Sequence, residues 1–217
     1  MKFRRKAAES IDEPSEASGE DSADGAAPTE TPTSAGPFDA EDLVDTEGRV
    51  DLGALVLLPV PGTELQLQVD ETSGNVQSVM FAGPEGALEL RVFAAPRHGD
   101  LWSEVRPQIA ADLGRRGGTA TEREGRFGTE LVCQMTVRLE DGSTGTQPSR
   151  IIGINGPRWM LRATLLGRPA THVDESGDWE DTITKVAVRR GDGAMPVGDV
   201  LPVVLPESAR RVEPPIA

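Results

Sequence analysis

The fold is decided by residues 75–95, which read NVQSVMFAGPEGALELRVFAA. Residues 83–86, Gly-Pro-Glu-Gly, are typical of a tight turn, and after this turn apolar residues alternate with charged ones. A connection this short joins antiparallel strands, because parallel strands need a crossover of about a dozen residues or more. The stretch therefore predicts a β-hairpin whose arms are residues 75–82 and 87–95.

Further strands are predicted on both sides of this hairpin. Before it, residues 65–69 alternate leucine or valine with glutamine, which is typical of a strand with one buried face. After it, apolar and polar residues alternate again, most clearly between Leu131 and Leu139, and glycine-containing turns separate the segments. The later strands are predicted at residues 119–124, 131–139, 150–155 and 159–165.

A first helix is predicted between the two groups of strands. Apolar residues recur every four positions from Leu101 to Leu113, and Asp100 is a suitable N-cap. Pro107 lies inside the segment, where it lacks the N–H that a helix interior needs. We therefore expect the helix either to kink at Pro107 or to begin later than Asp100.

A second helix is predicted after the last strand. It opens near residues 176–178, and residues 189–191, Arg-Arg-Gly, are expected to close it. Its apolar stripe consists of Trp179, Ile183, Val186 and Ala187. The order of strands, helix, strands and helix predicts an α+β fold, in which a meandering antiparallel sheet has two main helices packed on it.

Composition divides the chain into three parts. Residues 1–47 carry four basic residues against thirteen acidic ones, so they are predicted to form a disordered acidic tail that cannot bury enough apolar surface to fold. Residues 48–193 are predicted to be the α+β core domain. Residues 194–217 are predicted to be an extended, proline-rich C-terminal arm, and the apolar residues from Val200 to Leu205 need a groove in this chain or in another one.

The composition also excludes several classes of protein. The chain has 217 residues with 22 basic and 36 acidic side chains, a net charge of −14, which disfavours nucleic-acid binding through a basic surface. The longest nearly apolar run, residues 54–60, is far shorter than the ~20 residues of a membrane-spanning helix. Cys133 is the single cysteine, which excludes a disulfide scaffold. Because no export signal is recognisable, the expected location is the cytoplasm.

The residues that usually carry catalysis or bind metals are few. The two histidines, His98 and His172, lie in predicted loops, and Cys133 falls on the apolar face of a strand, where a thiol is buried and unreactive. No nucleophile motif, phosphate-binding loop or zinc ligand set occurs, and residues 174–181 lack the glycine and glutamate spacing of a calcium loop. We predict no catalytic residue, no metal site and no cofactor.

One group of polar residues is a candidate binding site. Arginine and glutamine side chains lie on the polar faces of the predicted strands: Gln66, Gln68, Arg91, Gln134, Arg138 and Arg162. If these strands are neighbours, an acidic protein presents a locally basic sheet face that can receive an anionic ligand, an acidic segment of a partner or this chain's own N-terminal tail. The predicted ligand-binding residues are Arg91, Gln134, Arg138 and Arg162. The alternative is that these charges pair with Glu89 and Glu140 on a solvated sheet.

Three segments resemble a known family. They are residues 76–102, VQSVMFAGPEGALELRVFAAPRHGDLW, residues 154–167, INGPRWMLRATLLG, and the helix that contains Trp179 and Ile183. They resemble an uncharacterised domain-of-unknown-function family of high-GC Gram-positive bacteria over most of residues 48–205. The resemblance implies no catalytic residues. The order of strands and helices is similar to that of PsbP/Mog1-like proteins, which mostly act as binding or assembly factors.

Three functions are open at this point. The first is a non-catalytic protein-interaction or assembly module in the cytoplasm with an unidentified protein partner, which the two flanking segments favour. The second is a small-ligand-binding protein that uses the arginine- and glutamine-lined sheet face for an anionic ligand. The third is an enzyme that relies on carboxylates and arginines.

Overall fold

The computed structural model describes residues 36–138 and 141–206. Strands in this part are β1 (Phe38–Asp39), β2 (Val50–Asp51), β3 (Leu55–Leu57), β4 (Glu64–Val69), β5 (Val76–Ala82), β6 (Gly86–Ala94), β7 (Thr119–Gly125), β8 (Gly128–Arg138), β9 (Thr144–Gly156), β10 (Trp159–Gly167) and β11 (Ala187–Val188). The helices are α1 (Leu101–Arg115), α2 (Arg168–Thr171) and α3 (Gly177–Thr184). None of the helices in the described residues is long and apolar enough to cross a membrane. The predicted α+β class is confirmed.

Seven strands form one large antiparallel sheet in the order β4-β5-β6-β10-β9-β8-β7. The predicted hairpin is β5–β6, and in its turn the N–H of Gly83 donates to the carbonyl of Gly86 at 2.9 Å. β6 also pairs along its whole length with β10, from Ala94 opposite Trp159 to Gly86 opposite Gly167. This pairing joins the strands that precede α1 to those that follow it.

A small sheet has the order β1-β11-β3-β2, with strands of two or three residues and a parallel β1–β11 pair. β1 comes from the segment that the sequence assigned to the tail. Phe38 pairs with Ala187, and the Asp39 carboxylate accepts a hydrogen bond from the Trp159 indole at 3.1 Å. The predicted tail therefore overlaps the fold after residue 35, and residues 1–35 lie outside the described residues.

Helix α1 begins at Leu101, directly after Asp100, whose carboxylate accepts a hydrogen bond from the Ser103 N–H at 3.0 Å. The predicted N-cap is confirmed, and the alternative of a later start is wrong. Pro107 lies inside the helix at an exposed position. Because proline has no N–H, the carbonyl four residues earlier, that of Ser103, loses its helical donor.

Helix α3 ends at Thr184, several residues before the predicted end at residues 189–191. The prediction is wrong because Ala187 and Val188 leave the helix and pair with β3. Both residues are fully buried in that pairing. The apolar stripe that suggested a longer helix therefore continues as a short strand.

Apolar side chains pack on both faces of the large sheet. On the inner face, the small sheet, α3 and the C-terminal arm cover residues such as Leu88 and Leu161. On the other face, called the α1 face, helix α1 covers Leu131, Cys133 and Met160. Helix α1 lies over β7, β8 and β9, and on the α1 face of β4 and β6 the side chains of Gln66, Glu89 and Arg91 are partly exposed.

The C-terminal arm binds in this chain as an extended segment that connects the two sheets. The Leu201 N–H donates to the Val92 carbonyl of β6 at 2.9 Å, and the Val204 N–H donates to the Leu52 carbonyl beside the small sheet at 2.9 Å. Leu201 is fully buried in the inner core. The described part of the arm thus finds its groove in the same chain, and residues 207–217 lie outside the described residues.

Candidate anion-binding surface

Two of the four predicted site residues are direct neighbours. Arg91 on β6 and Arg162 on β10 lie opposite each other in the pairing of these strands. Residues that pair across strands share a face, and Met160, which helix α1 covers, is two positions from Arg162 on the same face. Arg91 and Arg162, which we call the arginine pair, therefore lie together on the α1 face.

The other two predicted residues, Gln134 and Arg138 on β8, lie elsewhere. β9 separates β8 from β10. Arg162 of β10 pairs with Gly153 of β9, whereas Gln134 of β8 pairs with Pro148 of β9. Gly153 and Pro148 are an odd number of positions apart on β9. Because side chains alternate between the faces of a sheet, Gln134 and Arg138 belong to the opposite face from the arginine pair. The structure does not bring the four residues together.

Polar side chains extend from the arginine pair towards β4. Gln68 of β4 pairs with Ser78 of β5 and accepts a hydrogen bond from the Ser78 hydroxyl at 2.8 Å. Gln66 lies on the same face, two residues away. Ser78 is buried, Gln66 is half-buried and Gln68 is exposed. Gln66 and Gln68 therefore share the part of the α1 face that helix α1 leaves uncovered with the arginine pair.

The two guanidinium groups have different contacts. The Arg91 Nε donates to the Gln77 carbonyl at 2.9 Å and lies 3.9 Å from the Glu89 Oε1. The Arg162 Nε is buried without a hydrogen-bond partner among the described residues. Its guanidinium lies over the Phe93 ring, with Cζ 5.4 Å from the ring centroid. The alternative prediction for these charges is pairing with Glu89 and Glu140. Glu89 lies near Arg91, and Glu140 is outside the described residues.

The surroundings of Arg162 disfavour its charge. Burial lowers the pKa of Arg162, the neighbouring charge of Arg91 lowers it further, and Glu89 partly opposes both effects. Like charges directly opposite each other destabilise a sheet, and a buried donor without a partner costs about 1–3 kcal/mol. An anion bound beside the two guanidinium groups relieves the repulsion between their like charges. The arrangement can hold a carboxylate or a phosphate by charge-assisted hydrogen bonds.

A buried ion-pair network was not predicted from the sequence. Arg150 on β9 is fully buried, and its guanidinium donates to Glu130 of β8 at 3.1 Å, to Ser176 at 2.9 Å and to Glu180 of α3. Arg123 of β7 also binds Glu130. The sequence does contain a signal for this network. Arg150 lies two residues before Ile152, so the charged side chain shares one face of the strand with a buried isoleucine. The charges of the network are paired within the fold, and the Arg150 Nε has no hydrogen-bond partner among the described residues. This network therefore connects β7, β8 and β9 with α3.

A cleft of about 440 Å³ lies away from the arginine pair. The loop before β4, the β5–β6 turn and α3 form its walls. Trp179, Pro61 and Pro84 provide apolar lining, and Asp178 and Asp181 also line it. Neither residue of the arginine pair contributes to this cleft.

The remaining candidate reactive residues are the two histidines and the single cysteine. His98 and His172 are exposed, and the His172 Nδ1 lies 2.8 Å from the Thr171 Oγ1. Cys133 is fully buried, and burial raises the pKa of its thiol to about 11, so the thiol is protonated at neutral pH. Among the described residues, no group of three or more His, Cys, Asp or Glu side chains is arranged to hold a metal ion.

Comparison with known proteins gives a family but no activity. A family model described as "Protein of unknown function (DUF3710)" matches residues 36–212. The chain belongs to this family. The match begins just before β1 and extends beyond the described part of the arm, and the resemblance to a family of unknown function is thereby confirmed. No curated protein matches the chain.

Two solved structures are similar to parts of this DUF3710 chain at low sequence identity. A crystal structure from Bacteroides thetaiotaomicron VPI-5482 matches with a TM-score of 0.37 and 12% identity. The match covers 63% of this chain and 46% of that one. The solution structure of cyanobacterial PsbP (CyanoP) from Synechocystis sp. PCC 6803 matches with a TM-score of 0.38 and 10% identity, covering 64% of this chain and 91% of that one.

Proposed function

We propose that this protein is a protein-interaction module whose open α1 face binds an acidic segment of a partner protein at the arginine pair. The observation that carries the proposal is the direct apposition of Arg91 and Arg162, with the Nε of Arg162 buried and unpartnered among the described residues. Two like charges side by side lower stability unless an anion neutralises them. A side-chain carboxylate of the partner supplies that anion.

The shape of the surface favours a protein partner over a small molecule. Small ligands usually occupy concave sites that enclose most of their surface, whereas the arginine pair lies on a sheet face outside the cleft. Phe93 lies beside Arg162, and Val200 of the arm pairs with Phe93 and is 40% exposed. A peptide with both acidic and apolar residues can contact the charges and this apolar border together.

Binding of an acidic peptide tests the proposal. We expect a synthetic peptide of consecutive glutamates with one leucine to bind the full-length chain. Arg162→Gln or Arg91→Gln should weaken binding by about tenfold or more, because each removes a hydrogen bond to a charged group worth about 1.5–3 kcal/mol. Isothermal titration calorimetry measures the affinities, and circular dichroism checks that each variant folds.

The matched control is Arg138→Gln, since Arg138 is an exposed arginine on the opposite face of the same sheet. We expect this variant to bind the peptide as tightly as the unsubstituted chain does. Unchanged binding by Arg162→Gln, or no binding of the peptide to the unsubstituted chain, would overturn the proposal. Inorganic phosphate or citrate that binds more tightly than the peptide would replace the protein partner with a small anionic ligand.

We also propose a cytoplasmic location for this interaction. Cys133 is a free, buried cysteine, and reducing compartments are those in which proteins keep unpaired thiols. Cell fractionation followed by immunoblotting measures the location. Recovery with the soluble cytoplasmic proteins supports the proposal, and recovery in the membrane or extracellular fraction contradicts it.

A further inference from the structure

The two edges of the large sheet differ in how they are protected against further strand pairing. β7 carries Glu122, Arg123 and Glu124, and Arg106 of α1 donates a hydrogen bond to Glu122 at 2.8 Å. β4 begins with Glu64 and continues with the uncharged sequence LQLQV, which contains no proline. An uncharged edge strand offers its backbone N–H and C=O groups to another strand. In the part of the chain that the structure describes, β4 is the less protected edge of this sheet.

We infer that a second copy of this chain pairs with β4, antiparallel to it and across a twofold axis at Gln66. In a twofold pair, the residue at the axis faces its own copy, and residues equally far from it on either side face each other. Leu65 therefore lies opposite Leu67, and Glu64 lies opposite Gln68. Apolar residues meet on the inner face, and polar residues meet on the α1 face.

Two neighbouring registers also keep the faces matched. Moving the axis to Leu67 places Glu64 opposite Asp70, and like charges directly opposite each other are destabilising. Moving the axis to Leu65 places Leu67 opposite Thr63, which lies outside β4, so the contact between Leu65 and Leu67 is lost. In the inferred register, the Glu64 carboxylate meets the amide of Gln68. Gln68 accepts a hydrogen bond from Ser78 through its Oε1, which leaves its NH₂ group to donate to the carboxylate of the other copy.

The pairing also covers apolar surface that a single copy leaves in contact with water. Leu65 and Leu67 are only partly buried, and Val69 at the end of β4 is 39% exposed. In the pair, the leucines of one copy pack against those of the other, and the two large sheets become continuous. The axis is perpendicular to the sheet, so both arginine pairs face the same side and neither lies at the interface.

A charge swap at Gln66 tests the inference. Gln66→Lys brings two ammonium groups together at the axis and Gln66→Glu brings two carboxylates together, so we expect each variant alone to be monomeric. An equimolar mixture places opposite charges at the axis, so we expect it to form heterodimers. Sedimentation and light scattering across a concentration series measure the mass. We expect twice the 23.1 kDa of one chain for the unsubstituted protein.

Thr121→Lys is the matched control, because Thr121 is an exposed residue on β7, the other edge strand, and we expect it to leave the dimer intact. Restoration of the dimer on mixing also shows that both Gln66 variants fold. A monomeric unsubstituted chain, dimers that persist in Gln66→Lys, or a mixture that stays monomeric would each overturn the inference. These variants leave the arginine pair unchanged, so their failure is distinguishable from failure of the proposed peptide binding.

Discussion

Arg150 lies fully buried between Glu130 and Glu180, and Arg123 also binds Glu130, so two cations are matched by two anions. A buried network whose charges balance adds little net stability, because removing its members from water costs about as much as their attraction returns. Removing a single member is different, since it leaves a buried charge without compensation. The single side chain of Arg150 therefore fixes the position of α3 against β8 and β9.

We predict that Arg150→Met lowers the free energy of unfolding by about 3–5 kcal/mol, because the Glu180 carboxylate then lies near the core without its cation. Urea denaturation followed by circular dichroism measures the change. Arg168→Gln is the control, because 47% of the Arg168 side chain and 53% of the side chain of its partner Glu175 are exposed, and exposed pairs contribute about 1 kcal/mol or less. Equal effects of the two substitutions would contradict the role assigned to Arg150.

At the level of elements, the C-terminal arm connects the two sheets, and the buried side chain of Leu201 anchors the arm. We predict that Leu201→Ala lowers the free energy of unfolding by about 2–5 kcal/mol, because it leaves a cavity in the inner core. Val204→Ala, three residues later, changes a side chain that is 59% exposed and should cost about 0.5 kcal/mol or less. Urea denaturation compares the two variants, and similar losses would show that Leu201 does not anchor the arm.

The elements predicted correctly are those whose signals lie within a few neighbouring residues. The β5–β6 hairpin contains its own turn, and α1 has both a cap at Asp100 and an apolar repeat. β11 is different, because Ala187–Val188 becomes a strand only through pairing with β3, which lies far away in the chain. Local periodicity does not contain that pairing, and the same apolar residues therefore read as a continuation of α3.

At the level of the whole molecule, the candidate site depends on strand order, which alternation within one strand does not reveal. Arg91 and Arg162 meet because β6 pairs with β10 across the intervening α1 and three strands of sequence. β9 lies between Gln134 and Arg138 on one side and the arginine pair on the other, and its registers with β8 and β10 place the two groups on opposite faces of the sheet. Polar positions could thus be predicted from the sequence, whereas the assignment of those positions to one of two sheet faces required the structure.

Three carboxylates in different parts of the fold make the free energy of unfolding depend on pH. Asp51 of β2 binds Arg189, Asp100 caps α1, and Asp181 of α3 binds Arg126. Hydrogen bonds to these carboxylates hold the pKa of each group below the ordinary value of 3.8. A pKa that is lower in the folded state stabilises the fold above the unfolded value, and this contribution is lost as the pH falls through the folded value.

We therefore predict that the free energy of unfolding decreases as the pH falls below about 4, and that Asp100→Asn makes this decrease smaller. Asparagine caps a helix about as well as aspartate but does not titrate in this range, so the variant separates the cap from its charge. Urea denaturation at neutral pH and in steps down to about pH 2 measures both effects. If the two pH curves run parallel, Asp100 titrates alike in the folded and unfolded chains, and the acid sensitivity then comes from the other carboxylates whose pKa is lowered by hydrogen bonds, which are Asp51, Asp70, Asp141 and Asp181.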